Sequence, residues 1–188
     1  MHNPNIELLV KVLKEVMPLI CKEWNTVSLP LMEKLYRKSF KDIFKNRQTQ
    51  EKTKAISPII DEIIAEFIQK KIEAFTTTEG KGFDYTLNDI LIEWKNSLSE
   101  SNSWTGNGYR KTNWHVLCKF IPNEDGVIEK YFACIVPYDM VESNWSATGN
   151  SNFSSLSILK TDLDQVIEVS GSFKPLVKYS KPQYVSLT

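Results

Sequence analysis

Cysteine is scarce in this chain, histidine scarcer still, and a surplus of charge of either sign is absent. Cys21, Cys118 and Cys134 are odd in number, widely spaced and without a C-x-x-C pair, so neither a disulfide framework nor a zinc cluster is indicated. Cys21 falls in a helical pattern and the other two in apolar strands, so buried free thiols in a reducing cytoplasm are expected. Lys plus Arg and Asp plus Glu each number 23. That balance counts against a protein that coats DNA non-specifically, although a positive groove can hide in a neutral total. No apolar run approaches membrane-spanning length, and the polar start Met-His-Asn-Pro-Asn does not read as a signal peptide. No internal repeat is visible.

What is present suits one globular domain over residues 1–188, with 41% hydrophobic and 24% charged residues. Residues 1–75 read as helical. Asn3-Pro4 is an N-cap and first-turn pair, and Leu9, Val12, Leu13, Val16, Ile20 and Trp24 come next at helical spacing. Pro18 should kink or break this helix. A second helix is expected after Ser28, with Met32, Leu35, Tyr36, Phe40, Ile43 and Phe44 as its stripe. A basic face runs from Lys34 through Arg37, Lys38, Lys41 and Lys45 to Arg47, Lys52 and Lys54; such faces are usually solvated. Residues 46–56 read as an exposed loop, and Ser57-Pro58 as the start of a third helix. Helices first and strands afterwards favour α+β over a doubly wound sheet.

Residues 76–140 should form the sheet. Residues 83–87 and 90–96 read as a hairpin turned by Asn88-Asp89. Alternation puts Glu93 and Lys95 on one face of the second strand, with Ile92 and Trp94 on the other. Asp84, on the neighbouring strand, can join them in one cluster. Two hard carboxylates can hold Mg²⁺, and a lysine can position water or phosphate, as metal-assisted phosphodiester cleavage requires. An ion pair on a sheet edge is the plainer alternative for Glu93 and Lys95. Glu79-Gly80-Lys81 has the same acid-x-Lys spacing but sits in a Thr/Gly loop. Strands 114–121 and 128–136, joined by a 122–126 turn, are apolar enough to be central and covered on both faces, with the amino-terminal helices as the cover.

Asp84 followed by Glu93-x-Lys95 resembles the PD-(D/E)xK nuclease signature, with Phe83 where a proline often sits. The stretch 103–112 (Ser-Trp-Thr-Gly-Asn-Gly-Tyr-Arg-Lys-Thr) is similar to the segment after that motif in small type II restriction endonucleases. The resemblance covers roughly residues 79–160. It implies a restriction-endonuclease-like mixed central β-sheet with amino-terminal helices packed on it. Asp84 and Glu93 would be metal ligands for Mg²⁺ (with Mn²⁺ as a substitute), and Asp84, Glu93 and Lys95 the catalytic set. An acidic residue on the preceding helix, Glu62 or Glu66, can assist in this family, though an exposed carboxylate is the simpler expectation. Double-stranded DNA at a short near-palindromic site, GCNGC-like, would be the substrate of a homodimer in a bacterial cytoplasm. A DNA methyltransferase would be its genetic partner. A structure-specific nuclease and a non-catalytic DNA-binding module are the alternatives.

Two polar stretches are candidates for DNA contact. Residues 98–113 contain Trp104, Asn107, Tyr109, Arg110 and Lys111, with the lysine and arginine suited to phosphate. His115 begins the next strand, where it could reach phosphate or water, or simply bond a neighbour. Residues 141–188 comprise a recognition loop and the last strands. Within 143–153, Asn144, Asn150, Ser151 and Asn152 offer the donor–acceptor pairs that read base edges. The chain then closes, from Lys174 to Tyr184, with a basic, proline-containing segment.

Overall fold

The structure is a computed structural model that describes residues 3–78, 83–107, 113–137, 144–147 and 153–187. Helix α1 (Pro4–Glu23) starts where the Asn3 side chain accepts from the backbone N–H groups of Asn5 and Ile6, at 3.0 and 3.4 Å. Its buried face carries Ile6, Leu9, Val12, Leu13, Val16, Met17, Ile20 and Cys21. Of the expected kink or break, Pro18 causes no break: the helix runs through it. Pro18 has no N–H to donate to the carbonyl of Lys14, a residue on the exposed side where water can serve instead. The chain then widens into a π-helical turn over Trp24–Ser28 before α2 (Leu29–Tyr36), which ends as Arg37 adopts a left-handed φ of 51°. The stripe expected for one continuous helix is therefore divided. Met32 is buried, Leu35 and Tyr36 face outward, and Phe40 belongs to the short α3 (Phe40–Ile43).

Helix α4 spans Thr49–Gln69, so it begins eight residues before the expected Ser57-Pro58 start. The Glu51 carboxylate accepts from the backbone N–H of Gln48 at 3.0 Å and pairs with Arg47, which supplies an N-terminal cap inside a segment that reads as a polar loop. Pro58 is consequently internal.

Twelve strands come after the helices among the described residues, and seven of them build the main sheet. In chain order these are β1 (Phe75–Thr77), β2 (Tyr85–Leu87), β3 (Ile90–Ser97), β5 (Trp114–Pro122), β6 (Ile128–Val136), β9 (Ile167–Ser170) and β12 (Val185–Ser186). The spatial order is β1-β2-β3-β5-β6-β12, with β9 also on β6. β3 and β5 run parallel and the other pairs antiparallel. The β2–β3 turn is the Asn88-Asp89 pair, with Leu87 opposite Ile90 and Asn88 at φ 53°. The architecture is mixed α+β.

Helices cover one face of the sheet and not both: Ile92, Trp94, Val116, Cys118, Phe120 and Ile135 share a core with α1 and α4. The opposite face is covered by a second sheet, β4 (Ser103–Asn107), β8 (Phe153–Ser157) and β7 (Trp145–Ala147), drawn largely from stretches that read as loops. Trp104, Trp145 and Leu156 alternate inward from it onto Leu117, Phe132, Cys134 and Val136. Lys119 is fully buried beneath it. Its ammonium donates to the carbonyls of Ser99 and Ser103, both at 3.0 Å, and lies 4.3 Å from the Trp104 ring centre. That fastens the chain leaving β3 to the sheet it has just left. A last pair, β10 (Ser172–Pro175) and β11 (Ser180–Gln183), forms a separate two-stranded ribbon.

The three thiols are buried and unbridged as expected, and burial pushes the Cys21 thiol up to about 12. No helix among the described residues is long and apolar enough to cross a membrane.

The β5–β6 turn is fixed by packing as well as by turn chemistry. Gly126 has φ 86°, its carbonyl accepts from the Trp24 indole at 2.8 Å, and a Cβ there would overlap the Phe40 ring. Gly126→Ala should therefore destabilise the fold by about 2 kcal/mol, strain and overlap acting together. Urea unfolding measures this, and a loss below about 0.5 kcal/mol would show that the turn relaxes freely.

Candidate active site

β3 has eight residues and β2 only three, so β3 loses its neighbour on that side soon after Ile92. Asp84 fills the gap. Its backbone N–H still donates to the Ile92 carbonyl at 3.0 Å, while its carboxylate accepts from the Trp94 N–H at 2.6 Å. A side chain thus takes the place of the missing strand. Thr78 holds the same point: its N–H donates to the Asp84 carbonyl at 3.1 Å and its hydroxyl to the Phe83 carbonyl at 2.7 Å.

This geometry brings Asp84, Glu93 and Lys95 together. The Lys95 ammonium donates to the Glu93 carboxylate and lies 3.9 Å from that of Asp84. Glu93 is 0% exposed, the Lys95 side chain 16% and Asp84 42%, so the cluster runs from the interior to the surface. Across the parallel pairing Glu93 lies beside His115 and Lys95 beside Leu117, on the face that the second sheet covers. Gly106 of β4 permits that cover. A Cβ there would stand 2.7 Å from the Trp145 ring and 3.4 Å from Cε of Lys95.

A fourth residue joins them from α4. Asp61 accepts from the Asn96 side-chain amide at 2.5 Å, and Asn96 in turn accepts from the Trp94 indole at 2.9 Å. Burial, and then the negative charge of Asp84, push the Asp61 carboxyl up to about 7; Lys95 opposes this and Glu62 adds to it slightly. Asp61 therefore feels both Asp84 and Lys95. The expected helix acids, Glu62 and Glu66, are exposed or border the exterior, and Glu66 pairs with Lys70 at 2.5 Å. A helix starting at residue 57 conceals Asp61 in its first turn. Read from 49, Thr53, Ser57 and Asp61 form a polar stripe at i, i+4, i+8.

Asp61, Asp84, Lys95 and Asn96 open onto a cleft of about 420 Å³, whose other walls include Thr53, Lys54, Ser57, Thr77, Thr78 and Thr105. Its oxygen donors are of the hard type that suits Mg²⁺, and the charge of Asp84 beside the buried Asp61 carboxyl is a setting that a cation would relieve. Among the described residues no three His, Cys, Asp or Glu side chains converge as a ready-made metal cage. Asp84 and Glu93 are instead a pair joined by Lys95.

The other predicted contacts are dispersed. Trp104 is 1% exposed and its indole donates to the Cys118 carbonyl at 2.9 Å, so it is a core residue with no route to DNA. His115 is likewise fully buried. Its Nδ1 lies 2.6 Å from the Asn113 carbonyl and its ring meets Trp145 edge-on, which removes it from any surface phosphate. Asn144 donates to Asp162 at 2.8 Å, an internal contact that ties down the start of β7. Asn107 ends β4 opposite Phe153. Tyr109, Arg110, Lys111, Asn150, Ser151 and Asn152, like Glu79, lie outside the described residues.

The protein is thus an α+β chain whose main sheet carries an Asp-Glu-Lys cluster at the edge of a polar cleft. No protein-family model matches the chain, and a comparison with curated proteins found no match.

Asp61 makes the cleft pH-sensitive. Its carboxyl holds a proton more tightly in the folded state than the ordinary value of 3.8 allows, so the stability linked to it is full below that value. It drains away as pH rises through about 7. Asp61→Asn keeps an oxygen for Asn96 and removes the titration. The variant should melt above the parent at pH 8, by about 3 °C, with the gap closing towards acid pH. A gap independent of pH would show that Asp61 ionises as freely as in the unfolded chain.

Proposed function

We propose that the protein is a Mg²⁺-dependent endonuclease acting on double-stranded DNA, of the type II restriction class, with a restriction-endonuclease-like sheet as its scaffold. The observation that carries this is the convergence of Asp84, Glu93 and Lys95 at one edge of the main sheet, with the Lys95 ammonium against both carboxylates at the mouth of a cleft. Asp84 and Glu93 would hold Mg²⁺, which supplies neutralisation of phosphate charge when bound. Lys95 orients the attacking water or the scissile phosphate, and as water oxygen bonds to phosphorus one P–O ester bond breaks. Burial of Glu93 beneath the second sheet keeps the inner end of the cluster dry, which strengthens each of these electrostatic contacts. The Thr53, Ser57, Thr77, Thr78 and Thr105 side chains around the cleft suit a sugar–phosphate backbone.

Asp84→Asn and Glu93→Gln should each abolish most Mg²⁺-dependent cleavage of plasmid DNA while preserving duplex binding in Ca²⁺. Lys95→Ala should slow cleavage by at least about 10²-fold. Wild-type cleavage by Glu93→Gln would exclude this carboxylate from the chemistry. Discrete bands from mixed plasmids mark a restriction enzyme, at a GCNGC-like or other short site, and dependence on branched DNA marks a structure-specific nuclease. A methyltransferase gene beside this one would accompany the former.

The absence of a three-residue metal cage among the described residues favours one competing reading, in which Glu93 and Lys95 are only an internal ion pair of a non-catalytic DNA-binding module. A melting temperature unmoved by Mg²⁺ or Mn²⁺ would select that reading.

A near-palindromic site calls for a two-fold symmetric homodimer. Val27, Leu31, Leu35 and Tyr36 are exposed along one part of the helical layer and suit the contact. Light scattering should then report twice the chain mass on DNA, and a monomer both free and bound rules the dimer out.

A further inference from the structure

We propose that the β10–β11 ribbon is a second DNA-contacting element, which enters the major groove of a duplex apart from the cleft. The ribbon stands outside both sheets, and its register sets Lys174 directly opposite Lys181. Like charges opposite one another weaken a strand pair, so the fold gains nothing from this placement. Both lysines are exposed, whereas Phe173 and Pro182 form the buried pair beside them. At the tip the Leu176 N–H donates to the Tyr179 carbonyl at 2.7 Å, Lys178 lies within the turn, and Val177 is 92% exposed. From residue 169 to 188 there is no acidic residue. Glu168, at the base, already accepts from the Phe173 N–H at 2.8 Å.

The ribbon is also held firmly enough to present this surface. The Ser180 N–H donates to the Ile158 carbonyl at 2.9 Å, the Lys160 N–H to that of Lys178 at 3.3 Å, and Leu159 bridges to Tyr179. A two-stranded ribbon fits the major groove, about 12 Å wide, and paired lysines suit a partner with one charge per about 1.7 Å of axis. An anionic bilayer also attracts lysines, but it rewards apolar area, and Leu176 with Val177 is a small apolar tip. The ribbon's shape and charge carry this inference without the cleft; it shares with the proposed function only the partner.

The experiment is anisotropy of a short labelled duplex in Ca²⁺, titrated with NaCl. Lys174→Gln/Lys181→Gln should weaken binding at least about tenfold and reduce the log–log salt slope by about 2, one for each phosphate no longer neutralised. Val177→Ser should weaken binding with the slope unchanged. The double variant should melt at or above the parent, because a repulsive pair is gone, and Val177→Ser tests the ribbon even where the double variant melts lower. Unchanged affinity and slope in both variants overturn the proposal. So does binding to phosphatidylserine vesicles that these substitutions remove while duplex binding persists. Weakened duplex binding in the variants, with no Mg²⁺-dependent cleavage by the parent, removes the nuclease and leaves the ribbon standing. Normal cleavage with an unaltered slope does the reverse.

Discussion

A carboxylate sealed under a second sheet is unstable unless a cation comes with it, and Lys95 is that cation for Glu93. Removing one partner of such a buried pair typically costs about 3–5 kcal/mol, because the other is left as an uncompensated charge. The constraint reaches outward from there. A one-residue slip of β3 would turn Glu93 and Lys95 together onto the helix-covered face and Ile92 and Trp94 under the second sheet, so the register is fixed. β4 must then approach Lys95 closely, which Gly106 allows, and Trp145 closes over the same place. Lys119 fastens the connection between β3 and β4 from below.

The cleft originates in an incomplete strand. Because β2 stops short, the Trp94 N–H would meet solvent or nothing, and the Asp84 carboxylate accepts it instead. That one hydrogen bond draws an acidic side chain to within ion-pair distance of Lys95. It also leaves the flank open for α4 to bring Asp61 to Asn96. Three segments separated along the chain therefore meet at one edge, and each contributes a polar side chain. A longer β2 would satisfy the backbone and erase the site.

The hairpin, the two central strands and the α1 stripe are legible in the sequence because each obeys a simple period and is bounded by turn residues, as Asn88-Asp89 and the 122–126 turn show. The Asp84, Glu93 and Lys95 grouping is legible for the same reason: alternation on β3 sets which residues share a face. Misreadings arise where a polar surface hides a regular backbone. α4 begins in a solvated turn signalled chiefly by Glu51 reaching back to Gln48, so Pro58 reads as a start and Asp61 is lost among first-turn acids. β4 and β7 each turn a tryptophan inward among serines, threonine and asparagine, too few apolar residues to reveal a period. Trp104 resembles a binding residue because its neighbours along the chain are polar, and His115 because it begins a strand just after a polar stretch. Their buried surroundings come from β5, β7 and β8, which no local pattern announces.

Net charge is equally uninformative here, for a physical reason. An exposed charge is felt over about 8 Å at physiological ionic strength, so an approaching phosphate responds to the few side chains beside it. Asp61 and Asp84 line one cleft with Glu93 behind Lys95, while residues 169–188 contain lysines and no acid. The total of zero is a sum over surfaces that do not sense one another through solvent. Within each surface the placement of charge costs stability: at Asp61 burial, and then the charge of Asp84, raise the proton affinity, and Lys174 and Lys181 repel across a strand pair. In both places a partner of opposite charge, a cation in the cleft and a polyanion on the ribbon, would turn that cost into binding energy.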